Sequence, residues 1–400
     1  MAVQTRVDER MVVGLWERQE VPRAALNTLG LRVVFRGMPS DAGGPDYQDA
    51  VVSVAGKRVL SGDVEFHISS SDWYRHGHHQ NHRYNGVILH VVWIDDAIET
   101  RREDGTVVPV LALERFELQC PAQLVHRDED LPTPHACVAA FAALPTGVLL
   151  EEIGRLGEER FNDRAQRFAA DLSVEEADQV AYGALLEGLG YASNRRAFAQ
   201  LADAVPYDWL QSLPRRERLP SLLDAARLGP AALPAPPAHL ARDAWRLAML
   251  RPANHPARRL RGLVLLLDRM SPSLATHLKE AVATADSPSK LRSVLVVREG
   301  DDAFIGPGRA DELVVSVVLP LAAALEPGSN TAATVFDRYP SPPPNRWTRH
   351  MLGLLQRAGH DVPTVRTARA HQGLHHLYHA FCRSGRYGRC TVCRMARLTD

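Results

Sequence analysis

Carboxylates and an imidazole alternate along one predicted strand near the N-terminus of the chain. The segment Gly-Asp-Val-Glu-Phe-His, residues 62–67, alternates polar and apolar side chains with a period of two. On a β-strand this spacing places Asp63, Glu65 and His67 on one face and the apolar residues on the other. A divalent cation is one partner for such a row, because coordination replaces the mutual repulsion of the carboxylates. Asp46 follows a Gly-Gly-Pro turn and is expected to lie beside Glu65.

Histidines are concentrated directly after this strand, since six of the 17 lie between residues 67 and 90. Residues 69–85 are expected to be helical in part, and a helix would place His78 one turn from His82, with His79 also beside His82. Such pairs are frequent metal ligands. Contact with a substrate phosphate and an ordinary surface position are the alternatives. The candidates for catalysis or metal binding in this segment are His76, His78, His79 and His82.

A second group of potential metal ligands lies at the C-terminus. Cys382, Cys390 and Cys393 are spaced C-x7-C-x2-C, and the close pair has the spacing of a zinc knuckle, in which backbone N–H groups point at the sulfurs. We predict a structural zinc here, with a redox pair or iron–sulfur site, or unliganded thiols, as the alternatives. Three thiolates need a fourth ligand. The candidates for it are Cys137, His375 and His379.

The elements that must position these residues change character along the chain. Helix and strand patterns alternate at first: a helix pattern over residues 11–19 carries Glu17, and residues 31–35 and 107–113 are predicted strands. An apolar run over 87–94 predicts a buried strand, in which His90 is expected to be a core histidine with its hydrogen bonds satisfied. Later residues show the apolar spacing of helices. The predicted divisions are an α/β domain over 1–118, a helical domain over 140–330, and a helical C-terminal segment with the cysteines over 331–400.

The order of the acidic residues and elements resembles that of the PD-(D/E)xK metal-dependent nucleases. In that superfamily a helix Glu precedes an isolated Pro-Asp and then (Asp/Glu)-x-Lys on the next strand; Glu17, Asp46, Glu65 and His67 occupy the matching positions. The resemblance covers about the first 110 residues and implies an αβββαβ restriction-endonuclease-like core. It also implies that Asp46 and Glu65 hold Mg²⁺ or Mn²⁺ and that Glu17 adds an outer carboxylate. His67 stands where the superfamily has the Lys that orients or activates water.

His67 is the position at which the chain departs from that pattern. An imidazole titrates near neutrality and is a credible general base, but it lacks the permanent positive charge of Lys. If His67 binds the metal instead, Mn²⁺ or Zn²⁺ is favoured over Mg²⁺.

Longer stretches are even more similar to one family of bacterial proteins known only as a domain of unknown function. The similarity rests on GGPDYQDA at 43–50, GDVEFH at 62–67, the histidine-rich segment 70–85 and VILHVV at 87–92. It extends to RPANHP at 251–256 and the terminal C-x-x-C, so that it spans nearly the full chain. This resemblance implies membership of a family and no particular activity.

Composition limits where the protein acts and what it binds. Lys+Arg and Asp+Glu both total 47, so any surface for nucleic acid must be local. The longest apolar stretch, Val314–Leu325, is too short to cross a bilayer, and the N-terminus lacks the apolar core of a signal peptide, so we expect a cytoplasmic protein without a membrane partner. Ordinary solvent-exposed arginines are the alternative to nucleic-acid contact. The candidates for that contact are Arg251, Arg258 and Arg259.

Together these patterns predict a metal-dependent nuclease or phosphodiesterase that acts on nucleic acid. The expected roles are metal binding by Asp46 and Glu65 and proton transfer by His67 or a histidine of the next segment. The alternative is a non-catalytic module, stapled by zinc, that binds nucleic acid or protein. A third hypothesis is a metallohydrolase for a small substrate that uses His78 and His82 with Glu65.

Overall fold

The computed structural model describes residues 8–17, 20–40, 44–54, 58–97, 99–116, 134–241, 244–247, 252–361, 365–382 and 390–397, without the side chains of residues 17, 58, 134–136, 191–193 and 382. The chain forms two compact units. The first comprises Met1–Leu149, Arg349–Val362 and His376–Asp400, and the second comprises Leu150–Thr348 and Pro363–His375. The predicted domains are continuous stretches of the chain. The two units are not, because residues 376–400, which include the C-terminal cysteines, belong to the same unit as residues 1–149.

A mixed β-sheet is the centre of the first unit. Its strand order is β1-β3-β4-β5-β8, and β2 pairs with the first two residues of β3, Tyr47 and Gln48. The pairs β1–β3 and β3–β4 are antiparallel, whereas β4–β5 and β5–β8 are parallel. The strands are β1 Leu31–Phe35, β2 Met38–Pro39, β3 Tyr47–Val54, β4 Arg58–Ser69, β5 Val87–Ile94 and β8 Val110–Ala112; β6 Thr100–Arg101 and β7 Val107–Val108 form a separate hairpin.

The middle of β4 is buried on both faces. On one face Phe66 packs edge-to-face against Trp16 and Tyr47, within the core that two N-terminal helices cover. On the other face Trp73 and Tyr84 form a smaller aromatic cluster over the same sheet. Glu65 and His67 of β4 are therefore buried, and a charge on either side chain is poorly solvated. The covering helices are α1 Glu9–Glu17 and α2 Arg23–Thr28.

The connection between the parallel strands β4 and β5 is compact and only briefly helical. It contains α3 Asp72–Arg75 and two 3-10 turns, His78–Gln80 and His82–Tyr84. Gly77 adopts a left-handed backbone (φ 74°) that an L side chain disfavours, and it separates α3 from the first turn. The expectation of one helix that pairs His78 with His82 is therefore wrong.

Helices dominate the remainder of the chain. The long apolar segment Val314–Leu325 is a π-helical turn followed by a helix in the core of the second unit. Serine side chains cap two of the helices: Ser273 accepts from the N–H of Thr276, and Ser287 from that of Lys290. The helices are α4 Pro134–Ala142, α5 Thr146–Leu172, α6 Ala177–Leu189, α7 Tyr191–Ala204, α8 Tyr207–Ser212, α9 Arg215–Ala225, α10 Pro256–Arg269, α11 Leu274–Thr284, α12 Pro288–Leu295, α13 Pro307–Leu313, α14 Leu319–Leu325, α15 Thr331–Arg338, α16 Arg346–Arg357, α17 Ala368–Leu377 and α18 Thr391–Ala396; β9 Val297–Glu299 and β10 Asp302–Ile305 form a small hairpin.

The coarse architecture agrees with the sequence pattern. An α/β sheet is followed by a mainly helical region, as the change from period-two to helical spacing predicts. Among the described residues, no helix combines the length and the apolar character that a bilayer crossing requires. The nuclease-like identity of the core and the zinc in the C-terminal segment stay predictions.

Candidate metal-binding site

Two acidic side chains from neighbouring strands meet at the sheet. Asp46 stands directly before β3, and Glu65 lies in the buried part of β4. The main-chain N–H of Asp46 donates to Oε2 of Glu65 at 2.9 Å, and the N–H of Phe66 donates to Oδ2 of Asp46 at 3.1 Å. These two bonds fix both carboxylates relative to the backbone, in the neighbourhood that the sequence pattern predicts.

The surroundings disfavour negative charge on both acids. Burial raises the pKa of Asp46 to about 7, and the nearby charge of Glu65 adds to the shift. Burial likewise raises the pKa of Glu65 to about 8, against the opposing effect of the hydrogen bond from Asp46. Both shifts follow from desolvation of two carboxyls in one place. A cation bound there would offset this cost and favour the ionised forms.

A row of hydrogen-bonded imidazoles adjoins the carboxylates. Nε2 of His67 lies 3.0 Å from Nδ1 of His76, and Nδ1 of His67 lies 2.8 Å from Nε2 of His90. The row ends at Thr100, whose hydroxyl oxygen lies 3.1 Å from Nδ1 of His90. Both nitrogens of His67 are thus engaged, and the tautomers decide which partner donates in each bond.

His78 reaches the same place from the first 3-10 turn. Its ring stacks on Tyr84 with centroids 3.8 Å apart, and its Nε2 lies 3.2 Å from Oε1 of Glu65. That contact is an ion pair only when the imidazole is protonated. The residue is 8% exposed, and its Nε2 has no hydrogen-bond partner among the described residues. A buried ring nitrogen of this kind is available to a ligand.

The buried imidazoles are neutral at pH 7. Burial lowers the pKa of His67 to about 2, and the neighbouring histidines His90, His78 and His76 add to the effect. Burial also lowers the pKa of His78 to about 4. A neutral imidazole is the form that binds metals. His67 consequently carries no positive charge at the position where the PD-(D/E)xK pattern has Lys.

Three of these histidines form a group with the geometry of metal ligands. One ring nitrogen each from His67, His76 and His78 lies within 4.8 Å of the other two. His67 and His78 are buried and His76 is exposed, so the group opens to solvent on one side. In the described part of the chain, Cys137, Cys390 and Cys393 do not form a second such group. The donor set of imidazoles beside carboxylates fits a divalent cation.

Three predicted site residues in the described regions lie apart from this group. The carboxylate of Asp63 accepts the N–H of Asp49 at 3.3 Å, next to an irregularity in the β4–β5 register. His79 packs on Tyr74 with ring centroids 4.9 Å apart, and His82 is exposed on the second 3-10 turn. The left-handed Gly77 explains why His79 and His82 lie apart from the group, because it ends the helix that would have aligned the histidines. Glu17 ends α1, and its side chain lies outside the described residues.

The cysteine cluster is described only in part. Cys390 and Cys393 are buried, and the N–H of Cys393 points at Sγ of Cys390 at 3.4 Å, where Cys390 caps the N-terminus of α18; the zinc itself stays a prediction. The helix α4, which carries the buried Cys137, packs against α18 in the same unit. The side chain of Cys382 lies outside the described residues. His375 contacts the amide of Asn345 (2.8 Å), and the ring of His379 packs on Tyr378 (5.1 Å).

The predicted nucleic-acid arginines lie in the second unit. Arg258 pairs with Asp302 at 2.8 Å and lies over the ring of Phe304. Arg259 is 5% exposed, and its guanidinium donates to the carbonyl oxygen of Phe304 at 2.6 Å. A contact between Arg259 and a phosphate would require this hydrogen bond to break. Arg251 lies outside the described residues.

Sequence reasoning did not assign a site role to His90 or Thr100. The predicted burial of His90 agrees with the structure, in which both of its nitrogens are engaged. Its place in the site follows from the pairing of β4 with β5, which sets Glu65 opposite His90. A lone histidine inside an apolar strand was the available signal for His90. Thr100 gave none.

The fold and the site together define an α/β sheet protein with a histidine–carboxylate cluster at its central strands. The chain belongs to the family described as "Protein of unknown function (DUF2851)", whose model matches residues 9–233, more than half of the chain. The matched residues include the whole sheet and every member of the cluster. No curated protein and no solved structure matches the chain.

Proposed function

We propose that this protein is a metal-dependent hydrolase that cleaves phosphodiester bonds in nucleic acid. The observation that supports the proposal most is a pair of hydrogen bonds that holds Asp46 and Glu65 together. The carboxylate of Glu65 accepts the N–H of Asp46, and the carboxylate of Asp46 accepts the N–H of Phe66. Glu65 stands beside His67 and His78 of the ligand group. Carboxylates and imidazoles that converge in this way are suited to hydrolysis by a metal-activated water.

The substrate class is inferred from the order of the acidic residues. An isolated Asp before one strand and Glu-x-His on the next resembles the arrangement that phosphodiester-cleaving nucleases use, and β4 is here followed by a parallel strand. With 47 basic and 47 acidic residues the chain has no net charge that would attract a phosphate backbone. Contacts to phosphate would therefore come from local arginines such as Arg258.

The roles of the side chains follow from their contacts. Glu65, held at Oε2 by Asp46, directs Oε1 towards His67 and His78 as a metal ligand. When bound, a divalent cation would polarise a phosphoryl oxygen of the substrate and would lower the pKa of a water. His67 is hydrogen-bonded at both nitrogens, so we assign the role of proton acceptor to Asp46 rather than to His67. Asp46 lies beside the site, held by the N–H of Phe66, and its carboxylate in the ionised form that a bound cation would favour can accept a proton from water.

A cleavage assay tests this proposal. The full-length protein, freed of metal by a chelator, is incubated with single- and double-stranded DNA and RNA and with bis(p-nitrophenyl) phosphate. We expect hydrolysis when Mn²⁺, Zn²⁺ or Mg²⁺ is restored and none in excess EDTA. Glu65→Gln and Asp46→Asn are each expected to lower the rate by about 10²–10⁴-fold.

Asp63→Asn is the matched control, because Asp63 is a carboxylate of the same strand that binds the backbone of Asp49 instead. It is expected to retain most of the activity. Cleavage that survives Glu65→Gln, or the absence of cleavage with every metal and substrate, contradicts the proposal.

A non-catalytic role is the second candidate, and the buried cysteine pair favours it. The N–H of Cys393 directed at Sγ of Cys390 suits a structural zinc that stabilises a binding module. Binding of nucleic acid in a mobility-shift assay without any turnover, and with no effect of Glu65→Gln, would support this role.

A further inference from the structure

We propose that His67, His76, His78 and Glu65 bind one transition-metal ion of the Zn²⁺ type, and that His90 and Thr100 position His67 for it. This inference concerns the site of the proposed function and goes beyond it, because it names the class of metal and its ligands. Metal binding is measured without turnover, so the inference and the proposed function can fail separately.

The distances between the donor atoms carry the proposal. Ligand atoms of a tetrahedral zinc site, with bonds of about 2.0–2.1 Å, lie about 3.3 Å apart. Nε2 of His67 lies 3.0 Å from Nδ1 of His76 and 3.8 Å from Oε1 of Glu65. Nε2 of His78 lies 3.2 Å from the same Oε1. These separations bracket the tetrahedral value. The three histidine nitrogens lie within 4.8 Å of one another, whereas the Glu65 oxygen stands beside that group, near His67 and His78.

The buried Nε2 of His78 is an independent sign of a ligand. The side chain is nine-tenths buried, and this atom has no hydrogen-bond partner among the described residues, although Tyr84 and His67 pack on its ring. A buried donor or acceptor without a partner is destabilising, and coordination to a cation would remove that cost. The atom faces the same oxygen of Glu65 that lies near His67.

The chemistry of the donors selects the metal. Imidazole nitrogen suits Zn²⁺ and its neighbours, whereas Mg²⁺ is bound by carboxylates, carbonyls and water in octahedral geometry. With three imidazoles and one carboxylate, the site has the nitrogen-rich set that Mg²⁺ avoids. Because His76 is exposed, the metal would be reached from solvent on that side.

The partners of His67 complete the arrangement. A histidine that binds a metal through one nitrogen commonly donates the other N–H to an outer partner, which fixes the tautomer and the ring plane. Nδ1 of His67 lies 2.8 Å from His90, and His90 continues to Thr100 at 3.1 Å. A proton on Nδ1 of each ring then leaves Nε2 of His67 free to coordinate. His90 and Thr100 are positioning residues in this arrangement.

Metal titration of the chelator-treated full-length protein tests the inference. We expect the wild type to bind one Zn²⁺ more than His76→Gln or His78→Gln, and each variant to weaken binding at this site by more than about 100-fold. Titration with Co²⁺ should show visible bands that both variants lose, whereas any sulfur-to-metal absorption from the cysteines should be the same in the wild type and both variants. A large excess of Mg²⁺ should not displace the Zn²⁺.

His82→Gln is the matched control, since His82 is an exposed histidine of the same connection outside the group. It should bind as the wild type does. Equal stoichiometry in the wild type and both variants, or displacement of Zn²⁺ by Mg²⁺, overturns the inference. Zn²⁺ binding without nucleic-acid cleavage overturns only the proposed function; Mg²⁺-dependent cleavage that survives His76→Gln overturns only the inference.

Discussion

His67 and His90 face each other across two parallel strands, with Nδ1 of the first 2.8 Å from Nε2 of the second. Both rings are buried, and the far nitrogen of His90 meets the hydroxyl of Thr100. The hydrogen bonds therefore run from the interior of the sheet to the exposed His76. Such a row restrains the ring plane of His67, and it makes the site sensitive to residues that do not touch a ligand.

Thr100→Val is expected to weaken Zn²⁺ binding by about 10–100-fold, because valine keeps the shape of threonine but leaves His90 without its hydroxyl partner. The affinity is measured by competition with a chromophoric chelator. Thr106→Val, which removes an exposed hydroxyl from the turn of the same hairpin, serves as the control. An affinity unchanged in Thr100→Val would show that the row does not position His67.

The metal-free protein is expected to lose stability as the pH rises from 6.5 to about 8. Burial raises the pKa of Glu65 from 4.5 to about 8 and that of Asp46 from 3.8 to about 7. In this window the native state retains protons that the unfolded chain has released, so the free energy of unfolding falls by up to about 1.4 kcal/mol per pH unit for each such group. The lowered pKa values of His67 and His78 act with the opposite sign, and only below 6.5.

Urea unfolding in EDTA at both ends of that window measures this slope. Glu65→Gln should flatten it, because the amide does not titrate. Added Zn²⁺ should reverse it, because metal binding displaces protons from the ligands and strengthens as the pH rises. An identical slope in the wild type and Glu65→Gln would be inconsistent with a buried, proton-retaining Glu65.

Gly373→Ala is expected to destabilise the second unit by about 3 kcal/mol. A Cβ at this position of α17 would overlap the carbonyl oxygen of Ile153 in α5, so the two helix backbones would have to move apart. Gly353→Ala in α16 is the matched change, since a Cβ there meets no atom within 4 Å. It should be neutral, or stabilising by up to about 1 kcal/mol. Thermal unfolding of both variants checks the difference, and equal effects would contradict the close helix approach.

Cys390→Ser is expected to release one Zn²⁺ and to lower the Tm by at least about 5 °C, because a structural zinc contributes directly to folding. Metal analysis together with calorimetry measures both effects. If Cys137 is the fourth ligand, Cys137→Ser should lower the Tm to a similar degree, since its helix packs against α18. A Cys390→Ser protein with unchanged zinc content and Tm would rule out the structural site.

Much of the sheet follows from local patterns. The apolar runs at 31–35 and 87–94 became strands β1 and β5 over the predicted residues. The predicted strand at 107–113 is instead divided, because β7 joins β6 whereas β8 pairs with β5. Spacing reveals how a segment is shaped, but the choice between two possible partner strands depends on packing that no local window contains.

The sequence by itself determined that Glu65 and His67 share one face of a strand, because side-chain directions alternate along an extended backbone whatever its neighbours are. It also determined that Asp46 precedes an adjoining strand. Only the tertiary structure decided which histidines join them. The left-handed Gly77 allows His76 and His78 to approach His67 while His79 and His82 lie elsewhere, and the parallel register of β4 with β5 brings in His90. Those choices depend on chain reversal and strand pairing between distant residues, which the spacing of residue types does not encode.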